Sequence, residues 1–265
     1  MNNRVVIDSK LGKARDYEVK LAIDHIYHTN ENDLLICDRN YPSYMFIATL
    51  CYNNRKFVIR CSAASFSQAR DMLNGHGSDD QVVTIKTPNG KREEIEEHKL
   101  PHKIQVRFVR VKLDTGAYEV LVTNLMDTYL YPTQEFKTIY AMRWGVEGFY
   151  DILKNRLKLE NFTGKTSESV YQDFYAAIYL TGLESILTSD TNKILAQKET
   201  EYKQQVNKSV SFNAIKNKAF ELLYSSLDSN TVIAQLESLF STNPTLIRKK
   251  RKVPRTKRSA RHVLH

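Results

Sequence analysis

Tyr140, Arg143, Glu147 and Lys154 place a phenol, a guanidinium, a carboxylate and an ammonium within one short stretch of chain. The surrounding residues 133–158 read as a single helix: Pro132 bars an earlier start, Thr133 can cap, and no proline follows until Pro244. At about 100° per residue, with Tyr140 at 0°, Arg143 falls near −60°, Glu147 near −20° and Lys154 near −40°. All four then share an arc of about 60° along about 21 Å of helix axis. A guanidinium can fork a phosphate, an ammonium adds a point charge, and a carboxylate can hold a hard divalent cation. The plain alternative is a solvated helix face with accidental spacing. Trp144, the only tryptophan, falls near +40° and either stacks on an unpaired base or packs between helices.

A second acid stands where chemistry is expected. The apolar run Leu34, Leu35, Ile36, Cys37 ends in Asp38, followed by Arg39, Asn40 and Tyr41. Acids at the C-terminal ends of buried strands are where open α/β sheets place ligands and metals. The competing role for Asp38 is the N-cap of a helix opening at Tyr44. The elements that must position these residues alternate. Residues 4–8 read as a short strand, 14–28 as an amphipathic helix, 34–38 as a strand, 44–52 as a buried helix and 56–60 as a strand, an α/β arrangement with parallel members. From about 62 to 127 the texture turns antiparallel. Asn89-Gly90 predicts a hairpin between strands over 81–86 and 91–95. A register slip at Val109 predicts a bulge within 103–113, and Asp114-Thr115-Gly116 turns the chain into a strand over 118–124. Helices are expected over 133–158, 168–188, 192–205 and 211–238.

The spacing Y-x2-R-x3-E-x6-K resembles the C-terminal catalytic motif of bacterial insertion-sequence transposases of the DDE class, the group named after insertion sequence four. The likeness continues through Arg143-Trp144, through residues 157–164 (LKLENFTG) and through residues 171–176 (YQDFYA). Asp38-Arg39-Asn40-Tyr41 resembles the family's Asp-Arg-Gly-Tyr, with Asn40 in place of a glycine; Asn is the substitute that best tolerates φ > 0. The resemblance implies a ribonuclease-H-like core in which Asp38 is the second catalytic acid and Glu147 the third. Together they would hold Mg²⁺ or Mn²⁺ in a two-metal centre. Tyr140, Arg143 and Lys154 would grip DNA phosphates, with Trp144 and Arg39 also on the DNA side. The first acid is missing from its expected place. Asp8 precedes the 14–28 helix as if on a third strand, so the chain reads as N-terminally truncated; Asp8 itself remains a candidate, with Asp16 and Asp24 behind it.

The expected organisation is an incomplete core over 1–60, a β insertion over 61–128, core completion with the catalytic helix over 129–190, C-terminal helices over 191–247 and a basic disordered tail over 248–265. Of 39 Lys and Arg residues, nine lie in 248–265, which contains no acid, so the other 30 are matched by 30 acids. The tail therefore carries the whole formal charge of +9, as an arm that tracks nucleic-acid phosphates or stays solvated. Cys37, Cys51 and Cys61 match no metal-ligand spacing and fit a reduced cytoplasmic compartment. No secretory leader or membrane span is read. The expected function is transposon-end cleavage and strand transfer by a homodimer on paired DNA ends. A catalytically inactive DNA-binding remnant and a divergent nuclease of the same fold are the other readings.

Overall fold

The computed structural model describes residues 5–13, 16–159, 161–224 and 228–247. The chain divides into two compact units, 1–179 and 180–265. The expected tail over 248–265 lies outside the described residues.

The first unit is built on one five-stranded sheet in the order β1-β2-β5-β4-β3, where β1 is Leu34–Cys37, β2 Lys56–Cys61, β3 Asp80–Lys86, β4 Lys103–Lys112 and β5 Tyr118–Thr123. β1 pairs with β2 in parallel; the other pairings are antiparallel. The segment expected as an insertion thus contributes three strands to the same sheet as β1 and β2. Strand β4 lies inside the sheet, and its side chains alternate between two apolar layers. Val106 and Phe108 join the layer packed under α2 (Tyr44–Tyr52) and α3 (Ser67–Leu73). Val109 and Val111 join the opposite layer with Val58, Leu121 and Phe136. Adjacent apolar residues such as Phe108 and Val109 are what two covered faces require. The ladder through Val109 is unbroken on both sides, which corrects the expected bulge.

Other expectations change for equally local reasons. Residues 5–8 form no strand; the Asp8 carboxylate is tied to His25 instead. The helix expected over 14–28 is α1, Glu18–His25, with a 3₁₀ turn over Ile26–His28. Asn89-Gly90 does turn the chain, with Gly90 at φ 83°. The following residues form α4, Arg92–Glu97, because the partner of β3 is β4 and Ile95 alone is needed in the core. The hairpin turn at Gly116, φ 85°, joins β4 to β5 as read.

The long helix expected over 133–158 is realised in pieces: α5, Glu135–Ala141, and α6, Trp144–Asp151. Backbone dihedrals stay helical between them, but Arg143, Gly145 and Val146 donate three residues back, to Tyr140, Met142 and Arg143. Beyond α6 the chain widens into a π-type turn over Ile152–Arg156, a feature that re-phases side chains and recurs at functional sites.

α7, Ser167–Leu187, runs from the first unit into the second. The second unit continues with α8 (Ser189–Gln197), α9 (Lys208–Tyr224) and α10 (Ser229–Thr242). Its core is Leu195, Val206, Ile215, Val232, Leu236 and Phe240. Two of its expected helices are corrected. The one over 192–205 stops at Gln197, and Lys203–Val206 (β6) instead pairs with Pro244–Ile247 (β7). The one over 211–238 is two helices, the second opened by Asp228, whose side chain accepts from Asn230 N–H. In its interior Glu184, 2% exposed, holds Lys208 Nζ at 2.6 Å and Ser211 Oγ at 2.6 Å.

Candidate active site

Asp38 follows directly on the last residue of β1. One carboxylate oxygen accepts Asn40 N–H at 2.8 Å, which closes a tight turn and holds the acid at the strand end. Asn40 does not use φ > 0; among the described non-glycine residues that region is occupied by Asn54, Lys99 and Lys158. Nor does Asp38 cap the next helix, because Ser43 does so, accepting from Phe46 N–H at 3.3 Å. Arg39 is exposed beside it.

The sheet topology brings the second acid to the same end. β5 runs opposite to β1 and β2, so the chain leaves it at the end far from Asp38. From Glu135 to Glu147 the helical path climbs about 18 Å at 1.5 Å per residue, close to the length of β2 at about 3.3 Å per residue. The start of this climb is fixed to the sheet by Arg107, which is fully buried. It forks Asp80, donates to the carbonyls of Leu125 and Tyr131 at 3.0 and 2.8 Å, and lies 5.1 Å from the centre of the Phe136 ring. Thr133, expected as a helix cap, instead donates to Asp80 at 2.6 Å.

At the top of the climb Arg143 is the hub. Its guanidinium sits 4.7 Å from the Trp144 ring centre and 5.7 Å from that of Tyr140, and Nη2 donates to Glu147 Oε1 at 2.9 Å. Burial works against its charge, but the Glu147 hydrogen bond, the nearby Tyr140 and the negative fields of Glu147 and Asp38 hold its pKa above the ordinary value. Asp38 and Glu147, from a strand end and a helix, thus act on one guanidinium.

Trp144 is 56% exposed, so it is a surface ring rather than core packing. Tyr140 departs from the simple row: it is 3% exposed and packs in the apolar layer under β2 and β5. Its hydroxyl lies near the Arg60–Glu119 ion pair yet has no hydrogen-bond partner of good geometry. Lys154 stands on the π-type turn, so uniform helical spacing does not carry over to it. It lines a cavity of about 450 Å³ with Asp8, His25, Phe149, Tyr150, Leu153 and other apolar residues.

Four further residues belong to this region. Tyr41 donates to Glu18 at 2.5 Å. Burial raises the Tyr150 pKa, and the fields of Glu18 and Asp38 add to that while Lys154 opposes it. The Cys37 thiol is pushed up to about 12, by burial first and then by Asp38 and Glu18, so it remains a neutral thiol. Nothing in the local sequence distinguishes Glu18 from other acids in first helical turns; Cys37 and Tyr41 belong to the strand-end motif around Asp38, and Tyr150 lies three residues after Glu147 on the same helix.

The candidates for the first acid are all engaged. Asp8 lies 2.5 Å from His25 Nδ1 and 3.6 Å from His28 Nε2. Burial would raise its pKa, but the hydrogen bond and charge of His25, with His28 and the Ser9 amide, bring it below the usual value. Asp16 accepts Lys13 N–H at 2.7 Å, and Asp24 pairs with Lys10. Among the described residues no three His, Cys, Asp or Glu side chains converge in a metal-binding group. Asp38 at the strand end and Glu147 on α6 are the donor type that suits a hard cation, which takes one or two protein carboxylates and completes its shell with water and phosphate oxygens.

Residues 1–181 match the family described as the transposase DDE domain. The chain belongs to that family. No curated protein matches it. The match spans every element that carries Asp38, Arg143, Glu147 and Lys154, so the DDE domain is what the sheet and the helices α5 and α6 build. Family membership implies DNA as substrate and divalent metal ions in the reaction. No described helix is long and apolar enough to cross a membrane.

Proposed function

We propose that this DDE domain is the catalytic region of a transposase of the insertion-sequence-four group, with a ribonuclease-H-like core, which cleaves transposon ends and joins them to target DNA as a homodimer. The observation that carries the proposal is the placement of Asp38 in a tight turn at the C-terminal end of β1 and of Glu147 on α6, where it accepts from Arg143 at 2.9 Å. In this reading Asp38 and Glu147 hold Mg²⁺ or Mn²⁺. Bound metal would supply an activated water or 3′-hydroxyl and charge stabilisation at the leaving oxygen. Arg143 is held between two rings, with Nη2 on Glu147, and is set to receive a phosphate. Lys154 and Arg39 add phosphate contacts, and the exposed Trp144 offers a face for a base. Tyr140, being buried, shapes the Arg143 pocket from beneath.

The first acid is proposed to come from a strand pairing along the outer edge of β1. Among the described residues that strand has a single neighbour, β2. All four of its residues are apolar: Leu35 and Cys37 join one layer, Leu34 and Ile36 the other. It has none of the charges, prolines or bulges that protect a natural edge, and strands apolar on both faces are built for sheet interiors. A second reading, a DNA-binding remnant without catalysis, is favoured by the lack of three converging acids among the described residues.

Nicking of supercoiled plasmid DNA in Mg²⁺ or Mn²⁺ separates these readings. Residues 1–265 alone should bind duplex DNA, nick it little or not at all, and aggregate through the outer edge of β1, which among the described residues has no neighbour. Fusion to the polypeptide encoded upstream of Met1 should restore nicking that depends on Asp38 and Glu147. Failure of the fused protein to nick would favour the remnant. Robust nicking by 1–265 that disappears in Asp8→Asn would make Asp8 the first acid and overturn the truncated reading.

A further inference from the structure

Arg60 stands on β2 at the end of the sheet where Asp38 leaves β1. The parallel register sets Cys37 beside Ile59, so the next step along each strand brings Asp38 level with Arg60. Successive side chains of a strand point to opposite faces. Val58 and Leu121 face the layer that holds Tyr140. Arg60, two residues beyond Val58, and Glu119, two before Leu121, therefore point to that same side. They meet there, with Arg60 Nη1 3.1 Å from Glu119 Oε1. The Arg60 side chain keeps 31% exposure against 11% for Glu119, so the guanidinium is the member of the pair that solvent reaches.

The neighbouring donors lack an acceptor. Tyr140 is 3% exposed and its hydroxyl has no hydrogen-bond partner of good geometry; Arg143 Nε is likewise buried and unpartnered. Among the described residues these are the two such atoms, and they are neighbours, since the Arg143 guanidinium lies 5.7 Å from the Tyr140 ring centre. Buried polar groups are normally satisfied, and an O–H beside an N–H lacks the same thing, an acceptor oxygen. Arg60 faces this place from the strand side. Burial raises the Tyr140 pKa, while the charges of Arg143 and then Arg60 oppose that. A cross-strand ion pair accounts for Arg60 and Glu119 but leaves the two orphaned donors unexplained. Phosphate oxygens account for all of them, and a guanidinium forks a phosphate. One diester phosphate carries a single charge, so two guanidiniums are matched by two adjoining phosphates. We propose that Arg60 is a further phosphate-binding residue of this site, taking the DNA phosphate next to the one held by Arg143. Glu119 occupies Nη1 alone, and Nε and Nη2 also carry N–H groups. The inference rests on the DNA reading above and adds to it a residue from β2.

Binding of a short fluorescent duplex by the full chain, followed by anisotropy over a range of salt concentrations, tests it. Arg60→Gln should weaken binding about tenfold or more and lower the slope of log K against log salt by about 0.9, with circular dichroism unchanged. Arg60→Lys keeps the charge but cannot fork, so it should keep the slope and still bind more weakly. Glu119→Gln breaks the ion pair without removing the cation and should keep the wild-type slope. Combining Arg60→Gln with Arg143→Ala should lower the slope by about 1.8, the value of two phosphates. A slope indifferent to Arg60→Gln but lowered by Arg143→Ala would overturn the inference and leave the DNA reading standing. Equal losses in Arg60→Gln and Glu119→Gln would assign both to the structure of the sheet and also overturn it, as would a double variant that loses no more than either single one. Binding indifferent to both arginines would remove the DNA reading of the site itself.

Discussion

Glu147→Gln should lower metal-dependent DNA cleavage by about a thousandfold or more in a cleavage-competent form of this domain, while DNA affinity stays equal or rises slightly. The amide keeps the size and one acceptor oxygen of the carboxylate but contributes no charge to a hard cation. Metal stabilisation of the reacting oxygens amounts to several kcal/mol, and a thousandfold corresponds to about 4 kcal/mol. Affinity holds because the substitution removes an anion from the DNA side and releases Arg143 from the 2.9 Å hydrogen bond that now occupies it. Arg143→Ala separates the roles: DNA binding should weaken, and the slope of log K against log salt should fall by about 0.9, the value of one phosphate that the guanidinium no longer neutralises. Unimpaired cleavage by Glu147→Gln would remove Glu147 from the metal site.

Arg107→Ala should destabilise the first unit by about 3–5 kcal/mol, the range for removing one partner of a buried pair. The substitution leaves the Asp80 carboxylate without its fork, two carbonyls without a donor, and a void beside Phe136. Asp80 keeps 26% side-chain exposure, which lets water reach the orphaned charge and favours the lower end of the range. The loss has a pH signature. Asp80 titrates below its ordinary value, chiefly through the Arg107 hydrogen bond. Its contribution is therefore fully present above the unfolded carboxylate pKa, near 3.9, and is lost as pH falls through the lower folded value. Denaturant unfolding of the wild type should show this acid-side loss of stability, and Arg107→Ala should show a smaller one, since Thr133 still holds Asp80. Equal stability of the two proteins at neutral pH would show that the knot contributes nothing. Because Thr133 and the Tyr131 carbonyl share the knot, the variant should also loosen the start of α5 and, through it, the placement of Glu147.

What could be read in advance follows from how far each signal reaches. Asp38 was legible because an apolar run of strand length ended in an acid, a pattern complete within five residues. The row from Tyr140 to Lys154 was legible as types and spacing, but its geometry was not. The tightened turn at Arg143 and the π-type turn at Lys154 depend on tertiary packing, and no proline or glycine pair announces either. Tyr140 reads as polar in a row of polar residues, yet the layer under β2 and β5 takes its ring. Arg107 stands at an outward-looking place in an alternating strand, and only the distant Asp80, Leu125 and Tyr131 show that it is buried. Val109 misled in the same way: a second apolar face mimics a register slip when the covering helix α5 is read as belonging elsewhere. The role of Glu18 near the site is set by Tyr41 and Tyr150, which no local pattern joins to it.

If Asp38 and Glu147 share a divalent cation as proposed, Mn²⁺ binding to the chain on duplex DNA, followed by the paramagnetic signal of the free ion, will depend on both. The wild type should retain bound Mn²⁺, and Asp38→Asn and Glu147→Gln should each weaken that binding by about tenfold or more, about 1.4 kcal/mol, with DNA still bound. The same Mn²⁺ affinity in the wild type and in both variants would show that the two carboxylates hold no shared ion.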